Sequence, residues 1–141
     1  MYIRGIGRTK FGILSQSLPE LAYEAIYNAI NDSNITVRDI DAIIVSNFLG
    51  GPINGQLHLN SVIASLLPGI NIPILRVETA CASSSIALKQ AMCFLNEYDN
   101  VLVLGAEKMS SEHIIGPTES IQMAADKYLD QSQGLNIYLQ P

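Results

Sequence analysis

Cys81 stands in the segment Val77-Glu78-Thr79-Ala80-Cys81-Ala82-Ser83-Ser84-Ser85-Ile86-Ala87-Leu88, where an apolar run rich in β-branched residues gives way to an alanine- and serine-rich stretch. The order predicts a strand passing into a helix, with the cysteine at or near the helix N-terminus. First-turn amides without intrahelical partners, together with the positive end of the helix dipole, favour a thiolate and can hold a developing oxyanion. A nucleophile is well served there. Small, weakly polar cysteines also fill cores, so spacing alone leaves both roles open.

Few other residues could do chemistry. His58 and His113 are the only imidazoles, and both are expected at a surface or interface. Cys93 lies twelve positions after Cys81 on the same predicted helix. At about 1.5 Å per residue that is too far for a disulfide, and Cys93 is expected in the core. Glu107 and Met109 end a predicted strand, as site residues or as support beneath the nucleophile. The glycines of Phe48-Leu49-Gly50-Gly51-Pro52-Ile53-Asn54-Gly55 do not form a phosphate loop, because no Gly-Lys-Ser/Thr follows. No Cys/His zinc spacing exists, and no metal is expected.

The elements that must position these residues alternate. Tyr2 to Ile6 reads as a strand. Ser17-Leu18-Pro19-Glu20 is a capping box with proline in the first turn, opening a helix in which Leu18, Leu21, Ala22, Ala25, Ile26, Ala29 and Ile30 form an apolar stripe. After a turn over Thr36 to Ile40, Ala42 to Val45 reads as a buried strand and Leu57 to Leu67 as a helix. Ile74 to Glu78 is a strand, Ala80 to Leu95 a helix apolar nearly all round and therefore expected to be buried in the middle of a larger assembly, and Val101 to Leu104 a strand. A helix is expected from about Thr118 to Leu129. Such alternation predicts βαβ units and a mostly parallel sheet.

Composition bounds the function. In 141 residues the net charge is −5, charged residues make up 15% and hydrophobic ones 48%, with a mean hydropathy of +0.24. So little charge points to a subunit with large buried contacts, or to one piece of a larger protein. Without a basic stripe nucleic acid is not an expected partner, and no apolar run nears a membrane span. The start of the chain lacks the apolar region of a signal peptide, so a cytoplasmic location is expected.

Four segments in order resemble the thiolase family and, more broadly, the condensing enzymes related to it. Gly7-Arg8-Thr9-Lys10-Phe11-Gly12 resembles the loop after the family's first strand, and Gly55-Gln56 the opening of its second helix. Glu78-Thr79-Ala80-Cys81-Ala82-Ser83 resembles its nucleophile segment, and Gly105-Ala106-Glu107-Lys108-Met109-Ser110 its Gly-x-Glu-x-Met-Ser stretch. The resemblance implies an α/β fold, half of a thiolase-like αβα sandwich with a mixed, mostly parallel sheet. It implies a thiolase N-terminal half-domain over residues 1–111, and over 112–141 the truncated start of the excursion that holds coenzyme A. Cys81 would carry the acyl group of an acyl-CoA as a thioester, making the activity that of an acetyl-CoA C-acyltransferase. Coenzyme A thioester would be substrate, with no permanently bound cofactor.

The family's Gly-His-Pro histidine and Cys-x-Gly-Gly cysteine are absent from these residues, so they are not expected to complete a turnover alone. The chain is thus expected to be an incomplete N-terminal part. The resemblance also implies a homodimer through the Ile74–Glu78 strand, and in some relatives a synthase or an acyl-CoA-binding partner. Glycine is frequent in the family where Ser84 stands, and the serine run resembles sterol-carrier-type and archaeal members. Two alternatives are a non-catalytic thiolase-like interaction subunit or remnant, and a condensing enzyme of ketoacyl synthase III type.

Overall fold

A computed structural model describes residues 2–110 and 117–130. Its first helix, α1 (Leu18–Ser33), begins where the capping box predicts. The Ser17 hydroxyl accepts from the Glu20 amide at 3.4 Å, and the Glu20 carboxylate accepts from the Ser17 amide at 2.7 Å. Asn34 closes the helix in the left-handed conformation, with φ at 53°. Of the apolar stripe, Leu18, Ala22 and Ile26 face the core most fully.

A 3-10 turn over Val37–Asp39 leads into β1 (Ala42–Ser46), every residue of which is buried. The predicted glycine loop contains a short helix, α2 (Gly50–Asn54), and is followed by α3 (Leu59–Leu66). Next come β2 (Ile74–Val77), α4 (Ser83–Phe94) and β3 (Val101–Gly105). The short helix α5 (Pro117–Ile121) and a 3-10 turn over Gln122–Ala124 stand where one longer helix was expected.

The three strands are parallel in the order β2-β1-β3, Ile44 pairing with Leu75 on one side and Val103 on the other. Strand alternation divides the core. Ile43, Val45, Leu102 and Leu104 point to the face covered by α1 and α3, whereas Ile44, Val101 and Val103 meet Ala87 and Ala91 of α4. The predicted α/β architecture is therefore present.

Two expectations need correction, and a third is met within this chain on one face alone. Tyr2 to Ile6 joins no strand ladder among the described residues. Its backbone is engaged by α1 instead, Ile6 donating to the Asp32 carboxylate at 2.8 Å and the Asn28 side chain donating to the Arg8 carbonyl at 3.1 Å. Gly7 makes this close approach feasible: a Cβ there would lie 2.2 Å from the Ala25 carbonyl oxygen and 2.3 Å from the Ala29 nitrogen. Second, within this chain α4 is covered on one face only, and burial of its other faces would take the larger assembly expected for it. Only Ser83, Ala87 and Ala91 are buried, at i, i+4 and i+8, while Ile86, Leu88 and Met92 stay exposed. A sheet covers one face of a helix, and the small residues take that face. Third, Cys93 is exposed rather than in the core, because it lies about 200° round the helix from Ala91.

Two outcomes test this packing. Gly7→Ala should lower unfolding stability by about 1–3 kcal/mol in urea, since the obstructing atoms are helix backbone and cannot rotate away. The hydrogen bonds from the Ser17 amide and then the Ser17 hydroxyl hold the Glu20 carboxyl below the usual carboxylate range. Its contribution to stability is therefore present above the unfolded glutamate's ordinary value and disappears as pH falls through the lowered one. Carboxyl NMR titration should show the lowering, and Ser17→Ala, which keeps the amide's bond and removes the hydroxyl's, should reverse it in part.

Candidate active site

The C-terminal ends of parallel strands leave backbone groups and loops free to build a site. Here the segments following β1, β2 and β3 meet the loop Gly7–Gly12 around a cleft of about 550 Å³, lined by Cys81, Ser46, Asn47, Gly105, Glu107 and Lys108 among others. Three of the four segments singled out in the sequence thus converge on one cavity.

The chain reverses sharply between β2 and α4. Thr79 has φ −150° and ψ 48°, and Ala80 adopts φ +47°, a left-handed conformation rare for a residue with a Cβ. Ala80–Ala82 form a 3-10 turn that runs into α4, as the strand-to-helix reading of this segment expected. Cys81 is solvent-exposed on that turn. It is not a core cysteine. Beneath it the Ser46 and Ser84 hydroxyls lie 3.1 Å apart, tying the end of β1 to the first turn of α4. A Cβ on Gly105 would come within 3.5 Å of one and 3.7 Å of the other.

Glu107 and Lys108, adjacent after β3, grip opposite walls of the cleft. The Glu107 carboxylate accepts from the Phe48 amide at 2.8 Å, from the Leu49 amide at 3.2 Å and from the Asn47 side chain at 2.9 Å. The Lys108 ammonium donates to the carbonyls of Leu14 and Gln16. Anion gathers N–H groups and cation gathers C=O groups, the charge-assisted bonds that are strongest per contact. Asn47 is the buried centre of this network, donating to the Ala106 carbonyl at 2.7 Å and accepting from the Gly50 amide and from Arg76.

Of the residues marked in the sequence, Cys81, Glu107 and Met109 all line the cleft. The geometry gives Glu107 the supporting role, its carboxylate being turned onto the Phe48–Leu49 backbone. His58 is exposed at the start of α3, away from the cleft lining, and His113 lies outside the described residues. Ser46, Asn47, Arg76 and Lys108 went unmarked. A serine and an asparagine directly after a fully apolar strand were the available signal for the first two, since polar residues at that point are placed where the sheet opens.

The sequence and fold are similar to those of known proteins. The thiolase N-terminal domain family matches residues 1–137. The acetyl-CoA acetyltransferase of Methanocaldococcus jannaschii is 42% identical over 129 residues, 89% of this chain and 32% of its own length. The acetyl-CoA acetyltransferase of Methanothermobacter thermautotrophicus is 35% identical over 134 residues, 93% of this chain and 34% of its own. This chain thus spans about a third of the length of the curated relatives it matches. Among solved structures, an Ltp2–ChsH2(DUF35) aldolase superposes with a TM-score of 0.67 at 22% identity, covering 95% of this chain and 33% of that one. A 3-oxoacyl-[acyl-carrier-protein] synthase III from Aquifex aeolicus VF5 does so with a TM-score of 0.61 at 22% identity, covering 74% and 34%.

Since Glu107 holds the loop after β1, Glu107→Gln should destabilise the fold by about 1–3 kcal/mol, because whichever way the amide turns its nitrogen faces an N–H donor, the Asn47 side chain or the Phe48 amide. Hydrogen exchange at the Phe48 and Leu49 amides should accelerate while exchange within α1 follows only the global change.

Proposed function

The chain belongs to the thiolase family through its N-terminal domain, and from that premise we propose that Cys81 accepts the acyl group of an acyl-CoA in a thiolase-type acyltransferase. One observation carries the reading: the cysteine of the matched segment is exposed on a strand-to-helix turn, in a cleft walled by other family-like segments. In the step, the Cys81 thiolate sulfur bonds to the thioester carbonyl carbon and the bond to the coenzyme A sulfur breaks. Coenzyme A leaves as a thiolate and takes up a proton. One thioester replaces another, so no oxidant or reductant is needed. Coenzyme A enters as substrate, and residues 112–141 begin the segment that would hold it.

Condensation further requires a base to remove a proton from a second acyl group. Among the described residues no histidine lines the cleft and Glu107 is engaged by backbone amides, so the acyl-accepting step is the one assigned to these residues. An acetyl-CoA C-acyltransferase role in lipid metabolism is the corresponding activity of the whole protein. Likeness to the synthase III structure supports a second reading, in which the same cysteine loads acyl groups for a ketoacyl synthase III-type condensation.

For partners, we propose a homodimer in which β2 pairs with its copy, since β2 is hydrogen-bonded to β1 alone among the described strands and Leu75 is partly exposed. The superposed aldolase pairs Ltp2 with the DUF35 protein ChsH2, which supports a partner of that kind here, with acyl-CoA binding as its proposed task. No described helix is long and apolar enough to cross a membrane, and a cytoplasmic location accords with that.

The test uses both exposed thiols. After incubation with acetyl-CoA, peptide mass spectrometry should find acetyl on Cys81 and not on Cys93, and Cys81→Ser should abolish it. Absence of label on the folded protein, or equal label on both cysteines, overturns the reading and favours a non-catalytic interaction subunit.

A further inference from the structure

The turn that presents Cys81 is held against its own preference. Ala80 occupies the left-handed region at φ +47° without being glycine, so a side chain close to the following carbonyl opposes the conformation. Surrounding contacts must over-determine such a residue for it to persist. One side chain bonds to both flanks of Ala80. The Ser83 hydroxyl accepts from the Thr79 amide at 2.9 Å and donates to the Ala80 carbonyl at 2.7 Å. Ser83 is itself buried on the sheet-facing stripe of α4, at 5% exposure, so packing fixes the hydroxyl's origin. Three further bonds hold the turn: the Glu78 carboxylate accepts from the Ala80 amide, the Ala80 carbonyl accepts from the Ser83 amide, and the Thr79 carbonyl accepts from the Ala82 amide at 3.0 Å. Glu78 is exposed, so Ser83 is the buried side chain among these constraints.

We propose that Ser83 is a positioning residue for the nucleophile: by clamping Thr79 and Ala80 it keeps the turn left-handed at Ala80 and so keeps Cys81 presented in the cleft. It touches no substrate. Its effect on acyl transfer rests on the reading of Cys81 given above, but the clamp itself concerns geometry and can be measured without acyl-CoA. In the wild-type turn the hydroxyl also satisfies its own hydrogen-bonding capacity, which a buried serine otherwise leaves unmet.

The measurement is the alkylation rate of Cys81 by iodoacetamide, divided by that of Cys93 in the same molecules. Cys93 is exposed near the far end of the same helix and serves as internal standard. Ser83→Ala should lower the ratio roughly five- to thirtyfold, the population factor that matches an alanine's left-handed penalty. Ala80→Gly removes that penalty, so the double variant Ala80→Gly/Ser83→Ala should recover most of the wild-type ratio. A merely structural role for Ser83 would not be rescued by a glycine at 80. If Ser83→Ala leaves the ratio within about twofold, or if the glycine restores nothing, the proposal is wrong. Should Ser83→Ala alone fail to fold, the double variant must fold and keep the ratio, and its failure to do either overturns the clamp. Alkylation as expected with no acetyl transfer to Cys81 would sink the acyl-transfer reading and leave the clamp standing.

Discussion

Burial of β1 on both faces is the constraint from which the remaining architecture follows. Ile43, Ile44 and Val45 are fully shielded, which a strand achieves only with a neighbour on each edge and a layer on each face. Because consecutive side chains point to opposite faces, Ile43 and Val45 call for α1 and α3 while Ile44 calls for α4. The C-terminal end of the same strand then delivers Ser46 and Asn47 to the cleft. Packing and site placement are thus consequences of one short run of branched residues.

The cleft is organised by hydrogen bonds that span the chain. Glu107 reaches back to the loop after β1 and Lys108 to the segment before α1, so two neighbours fix walls contributed by distant sequence. Asn47 joins Glu107 to Arg76 on β2. Parallel strands favour this arrangement, because all three end on the same side and a short polar segment after each can meet the others. Cys81 enters that meeting point through a backbone reversal, not through a long loop, which keeps it close to the sheet.

What was legible in the sequence is what depends on local order. The Ser17 capping box, the stripe from Leu18 through Ile26 and the apolar run of β1 all rest on near neighbours, and each element lies where it was expected. The strand-to-helix setting of Cys81 was legible for the same reason. The left-handed Ala80 was not, because nothing local distinguishes that alanine from its neighbours. Glu107 was ambiguous because its partners lie some sixty residues away. Cys93 was misjudged because an apolar composition does not say which face of α4 the sheet will cover. Tyr2 to Ile6 has strand-like residues, but it runs along α1, where the Asp32 carboxylate accepts from the Ile6 amide.

The limited burial of α4 also bears on the thermodynamics of this chain. Against its own sheet the helix buries one serine and two alanines, and its larger side chains, Ile86, Leu88 and Met92, are already hydrated in the folded state. Tyr2, Ile3 and Phe11 are hydrated as well. Unfolding therefore exposes less new apolar surface than the hydrophobic composition alone implies. Heat-capacity change and denaturant dependence both scale with that newly exposed surface, so both fall below the values usual for a domain of this length. Its stability curve is correspondingly flatter with temperature, and its transition in urea broader.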